Sequence, residues 1–215
     1  MKAAVKKGMP QEVKTDALIL ALCEDEKKLS GPAAAIDHKA GGLLTEILKN
    51  GDFEGKDSQL VTLYTKKGVS FRRIVLAGLG KKKELTPDKV RLAFAGGARH
   101  VRELKVVGAS LLPDWNLLPG KKNVLAASIV EGVLLGLYKY LHYKTKEKDT
   151  KKFSRLELLC DPADYPLIVS EVKKASVISD AVCFARDLVW APGNEMTPSI
   201  LAAQARKIAD GKKLT

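Results

Sequence analysis

The chain has 215 residues, 46% of them hydrophobic and 6% aromatic, proportions that suit a soluble globule of one generous domain or one and a fraction. Thirty-seven Lys and Arg against 25 Asp and Glu leave a net charge of +12, so a polyanionic partner has to be weighed against a merely lysine-coated surface. Three cysteines, Cys23, Cys160 and Cys183, lie in apolar runs without C-x-x-C spacing, which argues against a disulfide or zinc framework and for reduced thiols in a cytoplasmic protein.

Residues 1–16 carry charge but no apolar core, so no export signal is expected. The most apolar later stretch, Val124 to Leu141, is interrupted by Glu131 and Lys139 and falls short of a membrane span. Lys2 to Lys6 reads as an edge strand, and Ala17 to Cys23 as a strand buried on both faces, because its apolar run is continuous and bounded by charge. Ser30, Gly31 and Pro32 open a helical stretch through Ile36. Leu43, Leu44, Ile47 and Leu48 continue at helix spacing until Asn50 and Gly51. Gly41 and Gly42 between them have two readings: a kink, which is favoured, or a backbone approach to an anion at a helix N-terminus.

Leu60 to Thr65 and Phe71 to Leu79 are strand-like and are expected to pair antiparallel through a turn at Lys66, Lys67 and Gly68. Gly78, Leu79, Gly80 and Lys81 lack the remaining glycine and the Lys-Ser/Thr ending of a phosphate loop and read as a strand-end turn. Thr86, Pro87 and Asp88 start a helix with Val90, Phe94, Gly97, Val101 and Leu104 on one face. A strand at Val106 to Leu112 follows, then a loop with Pro113, Trp115 and Pro119. A helix from about Asn123 to Tyr143 comes next, where Gly132 and Gly136 would admit another backbone closely. Phe153 to Cys160 is the last expected strand. Alternating strands and helices with one hairpin give an α/β fold, a mixed sheet flanked by helices.

From Pro166, the residues Ile168, Val172, Ala175, Ser179, Val182, Arg186 and Val189 keep to one face of a single long helix. Pro192 and Gly193 break it, and Thr197 with Pro198 restarts a helix carrying Ile200, Leu201, Gln204, Ala205 and Ile208, which Gly211 is expected to end. The segment Ala185 to Pro198, ARDLVWAPGNEMTP, resembles the interdomain segment of the leucyl aminopeptidases of the M17 family, departing from its usual pattern at Trp190, Ala191 and Gly193. Gly41 to Leu48 followed by Gly51 to Lys56, then Arg72 to Lys82 and Glu131 to Lys144, are similar, in order, to the N-terminal domain of the same enzymes. The resemblance implies a macro-domain-like domain over 1–165, an interdomain linker helix over 166–190, and the beginning of a catalytic domain over 191–215 whose remainder is absent. It further implies that the missing domain is the partner. There two divalent metals, Mn or Zn, act on peptide substrates, and the full-length protein is a homo-oligomer, a hexamer in the family.

No cofactor, metal site or catalytic residue is expected in the chain itself. His38, His100 and His142 fall on separate predicted helices without H-E-x-x-H pairing, and Asp37, His38 and Lys39 form only a local charge cluster. Ser110 and Ser128 have no nucleophile-elbow pattern, and Asp187 is expected in an interdomain salt bridge or cap. Three functions therefore compete. The favoured one is a non-catalytic N-terminal domain that positions or assembles a leucyl aminopeptidase. The second is a module binding an ADP-ribose-like anion at Gly41 and Gly42. The third is a backbone-directed nucleic-acid accessory using Lys81, Lys82, Lys83, Lys121, Lys122 and the Lys144 to Lys152 loop, which lacks aromatic interleaving.

Overall fold

A computed structural model of the chain describes residues 2–8, 14–26, 28–66, 68–118, 121–143 and 153–212. Lys67 of the expected turn, Pro119 and the Lys144 to Lys152 loop lie outside them. The strands are β1 (Lys2–Lys7), β2 (Ala17–Leu22), β3 (Leu60–Tyr64), β4 (Arg73–Gly78), β5 (Gly108–Leu112) and β6 (Arg155–Cys160). They form one sheet in the order β1-β6-β5-β2-β4-β3, parallel throughout except where β3 pairs antiparallel with β4. The apolar run that begins at Ala17 becomes the centre of the sheet, hydrogen-bonded to β4 on one side and β5 on the other, with all six residues buried.

Alternation along β2 divides two cores. Ala17, Ile19 and Ala21 face one side with Val90, Phe94 and Val101 of α3 (Pro87–Glu103), Ile129 and Val133 of α4 (Lys122–Gly136), and Ile168 and Val172 of α5 (Tyr165–Trp190). Leu18, Leu20 and Leu22 face the other side, where α1 (Gly31–Lys39) brings Ile36 and α2 (Leu43–Asn50) brings Leu44. Burial of each such large side chain contributes roughly 1.5–3 kcal/mol.

The Thr86 hydroxyl accepts from the Lys89 amide at 3.3 Å and caps α3 as its sequence predicts. At Gly78 a Cβ would lie 1.9 Å from the Lys56 carbonyl, and the Gly80 amide donates to Gly55 at 2.9 Å. These glycines admit a neighbouring strand-end loop, in keeping with a turn.

Helix α4 is shorter than its apolar pattern predicts: it ends at Gly136, not near Tyr143. Two arginines terminate it. Arg186 donates to the Leu135 carbonyl at 3.1 Å and Arg102 to the Leu137 carbonyl at 3.0 Å, satisfying the last-turn acceptors that a longer helix would have bonded itself. His142 consequently lies outside any helix. The long helix α5 forms as expected, and its first half packs on α4 and β1 with Ile168, Val172, Ala175 and Ser179 buried. The expected face does not stay covered, because Val189 is 83% exposed. A turn follows, and α6 (Pro198–Lys212) starts where Thr197 accepts from the Ile200 amide at 3.4 Å. Gly211 lies within α6 and does not end it.

Candidate functional site

Gly41 and Gly42 join α1 to α2 with φ of 73° and 82°, left-handed values that allow the chain to turn between the two helices. They line an open groove of about 1090 Å³ whose wall also carries Glu24, Glu26, Glu54, Lys28 and Lys49. Asp37 is buried beneath it. Its Oδ1 accepts from the amides of Leu44 at 2.7 Å and Thr45 at 3.1 Å, and its Oδ2 from the Thr45 hydroxyl. Free amides at a helix start are the usual recipients of a phosphate. Here the Leu44 and Thr45 amides at the start of α2 already donate to the chain's own Asp37 carboxylate, and further carboxylates line the groove.

Lys81 to Lys83 are exposed after the carboxyl end of β4, where Lys82 to Glu84 form a single 3-10 turn and the Lys82 amide donates to Asp25 at 3.1 Å. Lys121 and Lys122 follow β5 and open α4. The Lys122 ammonium is engaged by Asp164 at 2.6 Å. β2 separates β4 from β5 in the sheet, so the two lysine groups belong to different strand ends.

The three histidines are dispersed: His38 in α1, His100 against the Thr62 hydroxyl at 2.7 Å, and His142 beside Glu195 at 3.9 Å. Among the described residues no group of three or more His, Cys, Asp or Glu is placed to hold a metal ion. All three cysteines are free, and Cys23 and Cys160 are buried. Burial first, and the nearby Glu26 and Asp25 next, push the Cys23 thiol up to about 11.

The sequence gives no separate role to residues 138–143, which it assigns to α4. The Tyr138 hydroxyl donates to Asp187 at 2.7 Å, and Tyr143 hydrogen-bonds Glu195. Asp187 thus accepts from a tyrosine within this chain. The signal for this segment was present: Gly136 is a poor helix former, and four of the six residues in YKYLHY are aromatic or histidine.

A family model described as "Cytosol aminopeptidase family, N-terminal domain" matches residues 19–147. The chain is similar to the probable cytosol aminopeptidase of Nitrosococcus oceani, 34% identical over 213 residues, covering 97% of this chain and 42% of that protein. The cytosol aminopeptidase of Pseudomonas aeruginosa is 31% identical over 210 residues, with coverage of 97% and 42%. Of solved structures, a tomato leucine aminopeptidase mutant superposes with a TM-score of 0.82 at 25% identity, over 98% of this chain and 42% of that one. The bottromycin maturation enzyme BotP in complex with Mn shares the fold, with a TM-score of 0.66 at 22% identity, over 92% of this chain and 36% of that one. The chain therefore spans less than half the length of the curated relatives it matches. With its sheet, its flanking helices and more than half of its residues matched in this way, the chain belongs to the cytosol aminopeptidase family and corresponds to its N-terminal domain.

Proposed function

We propose that this chain positions and assembles the catalytic domain of a longer leucyl aminopeptidase, which removes N-terminal amino acids, preferably leucine, from peptides with two divalent metals, Mn or Zn. The observation that carries this reading is the uncovered apolar surface where α5 ends and α6 runs. Trp190 is 65% exposed, and Ile200, Leu201 and Ile208 are exposed beyond it. On this reading the apolar side chains left exposed at the end of α5 and along α6 are the surface that a further domain covers. A following catalytic domain is the occupant that family membership supports.

The described residues do not fit the two-metal centre, since no ligand cluster is formed among them, and no hydrolytic step is assigned to this chain. The metals belong, on this reading, to the following domain; the manganese in the BotP complex supports one choice of ion. The full-length protein is read as a cytoplasmic homo-oligomer. The names of its relatives support the location, and no helix among the described residues is long and apolar enough to cross a membrane.

The test compares the 215-residue chain with the same chain joined to the catalytic domain of the Nitrosococcus oceani relative. With leucyl amide substrates and added Mn or Zn, the chain alone is expected to be inactive. The joined protein is expected to show chelator-sensitive turnover that Trp190→Asp weakens. Chelator-sensitive turnover by the unjoined chain, or a joined protein indifferent to Trp190→Asp, would sink the reading.

A further inference from the structure

The turn between α5 and α6 has little packing of its own. Pro192 to Glu195 are exposed, and a Cβ built on Gly193 would meet nothing within 4 Å. Its internal bonds are local: Ala191 to the Asp187 carbonyl at 3.1 Å, and Glu195 and Met196 to the Pro192 carbonyl at 2.9 and 2.8 Å. Such bonds shape the turn without fixing where it points relative to the sheet. Among the described residues, the long-range side-chain hydrogen bonds that reach 187–197 come from Tyr138 and Tyr143.

We propose that residues 138–143 form a strap that fixes the α5–α6 elbow to the body of the domain and so sets the direction in which α6 leaves it. One anchor is double. Tyr138 donates to Asp187, while the neighbouring Arg186 lies 5.4 Å from the Tyr138 ring centroid and reaches back to the Leu135 carbonyl. The other anchor is Tyr143 on Glu195. The rings of Tyr140 and His142 brace it edge-on, with centroids 5.8 and 4.9 Å from that of Tyr143.

Strap and elbow face one another across a cleft of about 490 Å³ that Phe184, Leu188, Met196 and Ile200 help to line. Two polar anchors across this cleft hold a direction, and their release frees the elbow without opening the core. Early termination of α4 makes the strap available: a helix continued to Tyr143 would not leave this segment free to cross to α5. The geometry is this chain's own. Its consequence, the orientation of a following catalytic domain, rests on the function proposed above.

Amide residual dipolar couplings of the 215-residue chain test the strap without any readout of peptidase activity. In the parent, α6 and the sheet are expected to fit one alignment tensor. In the Tyr138→Phe, Tyr143→Phe double variant, which keeps both rings and removes only the hydroxyls, the α6 couplings are expected to collapse toward zero while those of β2 and β4 persist. Asp187→Ala with Glu195→Ala, which removes the acceptors from the opposite side, is expected to reproduce that loss. Unchanged α6 couplings in either double variant would overturn the proposal. So would a parent in which α6 already tumbles apart from the sheet, or loss of the sheet's own couplings in both double variants.

Discussion

Gly132 of α4 lies so close to the backbone of Arg91 in α3 that a Cβ at position 132 would sit 2.2 Å from the Arg91 carbonyl oxygen. One turn on, a Cβ at Gly136 would sit 2.8 Å from that of Ala95, so the two helices touch along a glycine seam. The Arg91 guanidinium spans the same seam to Glu131, with Nε at 3.2 Å and Nη2 at 2.9 Å. Gly132→Ala must push α3 and α4 apart, at a cost of about 1–3 kcal/mol typical of overpacking. Gly193→Ala, where a Cβ meets nothing within 4 Å, is expected to change stability by less than about 0.5 kcal/mol. Urea denaturation decides. A Gly132→Ala midpoint equal to the parent's would show that the helices part freely.

Asp37 holds the start of α2 from inside the domain. Asp37→Ala leaves the Leu44 and Thr45 amides without their acceptor and is expected to cost about 1–2 kcal/mol. Asp37→Asn retains an acceptor oxygen and is expected to cost less. In the parent the same carboxylate already occupies these two amides, so calorimetry with ADP-ribose is expected to detect no binding. A micromolar dissociation constant that Gly42→Glu abolishes would make anion binding the better account of the groove.

The cysteines are expected to separate by reactivity. Cys183 is half-buried, whereas Cys23 and Cys160 are buried, and desolvation is the first cause raising all three thiols. At pH 8 a haloacetamide is expected to modify Cys183 in the native chain and the other two only after denaturation. Because the folded Cys23 pKa, at about 11, exceeds its unfolded value of 9.0, its contribution to stability is full below pH 9 and is lost as pH rises through 11. Cys23→Ser is expected to flatten that part of the stability profile; an unaltered alkaline limb would count against the assignment.

What could be read from the residues alone divides along a physical line. A run such as ALILALC declares a two-faced buried strand, and Thr86-Pro87-Asp88 declares a helix start, because the cause lies within a few residues of the effect. The end of α4 was only hinted at by Gly136, and the groups that fix it there were not legible. It depends on Arg102 and Arg186, which lie 35 and 51 positions from the carbonyls they cap. The Gly41-Gly42 kink was legible, yet the Asp37 carboxylate that holds the α2 amides across the turn was not. The fate of Val189 was equally hidden, because periodicity gives a helix its face and not the length of the partner that covers it.

The net charge of +12 has a different physical content once the lysines have neighbours. Lys122 is bound by Asp164, and Lys89 lies between Asp57 at 3.1 Å and Glu84 at 3.5 Å. Lys81, Lys82 and Lys83 remain exposed, with Glu84 directly after them and Asp25 on the Lys82 amide. A duplex laid on this triplet would have about three phosphates neutralised, so log K against log salt should fall with a slope no steeper than about 2.7, at 0.9 per phosphate. So shallow a slope reflects few contacts, and binding near 0.15 M salt is expected to be weak. A salt series with random-sequence duplex, comparing the parent with the Lys81→Glu, Lys82→Glu, Lys83→Glu variant, measures both quantities. Tight binding at 0.15 M salt that disappears in the variant would mean that the triplet converges with other cations on one phosphate track, and that nucleic-acid binding is a function of the domain and not a by-product of its composition.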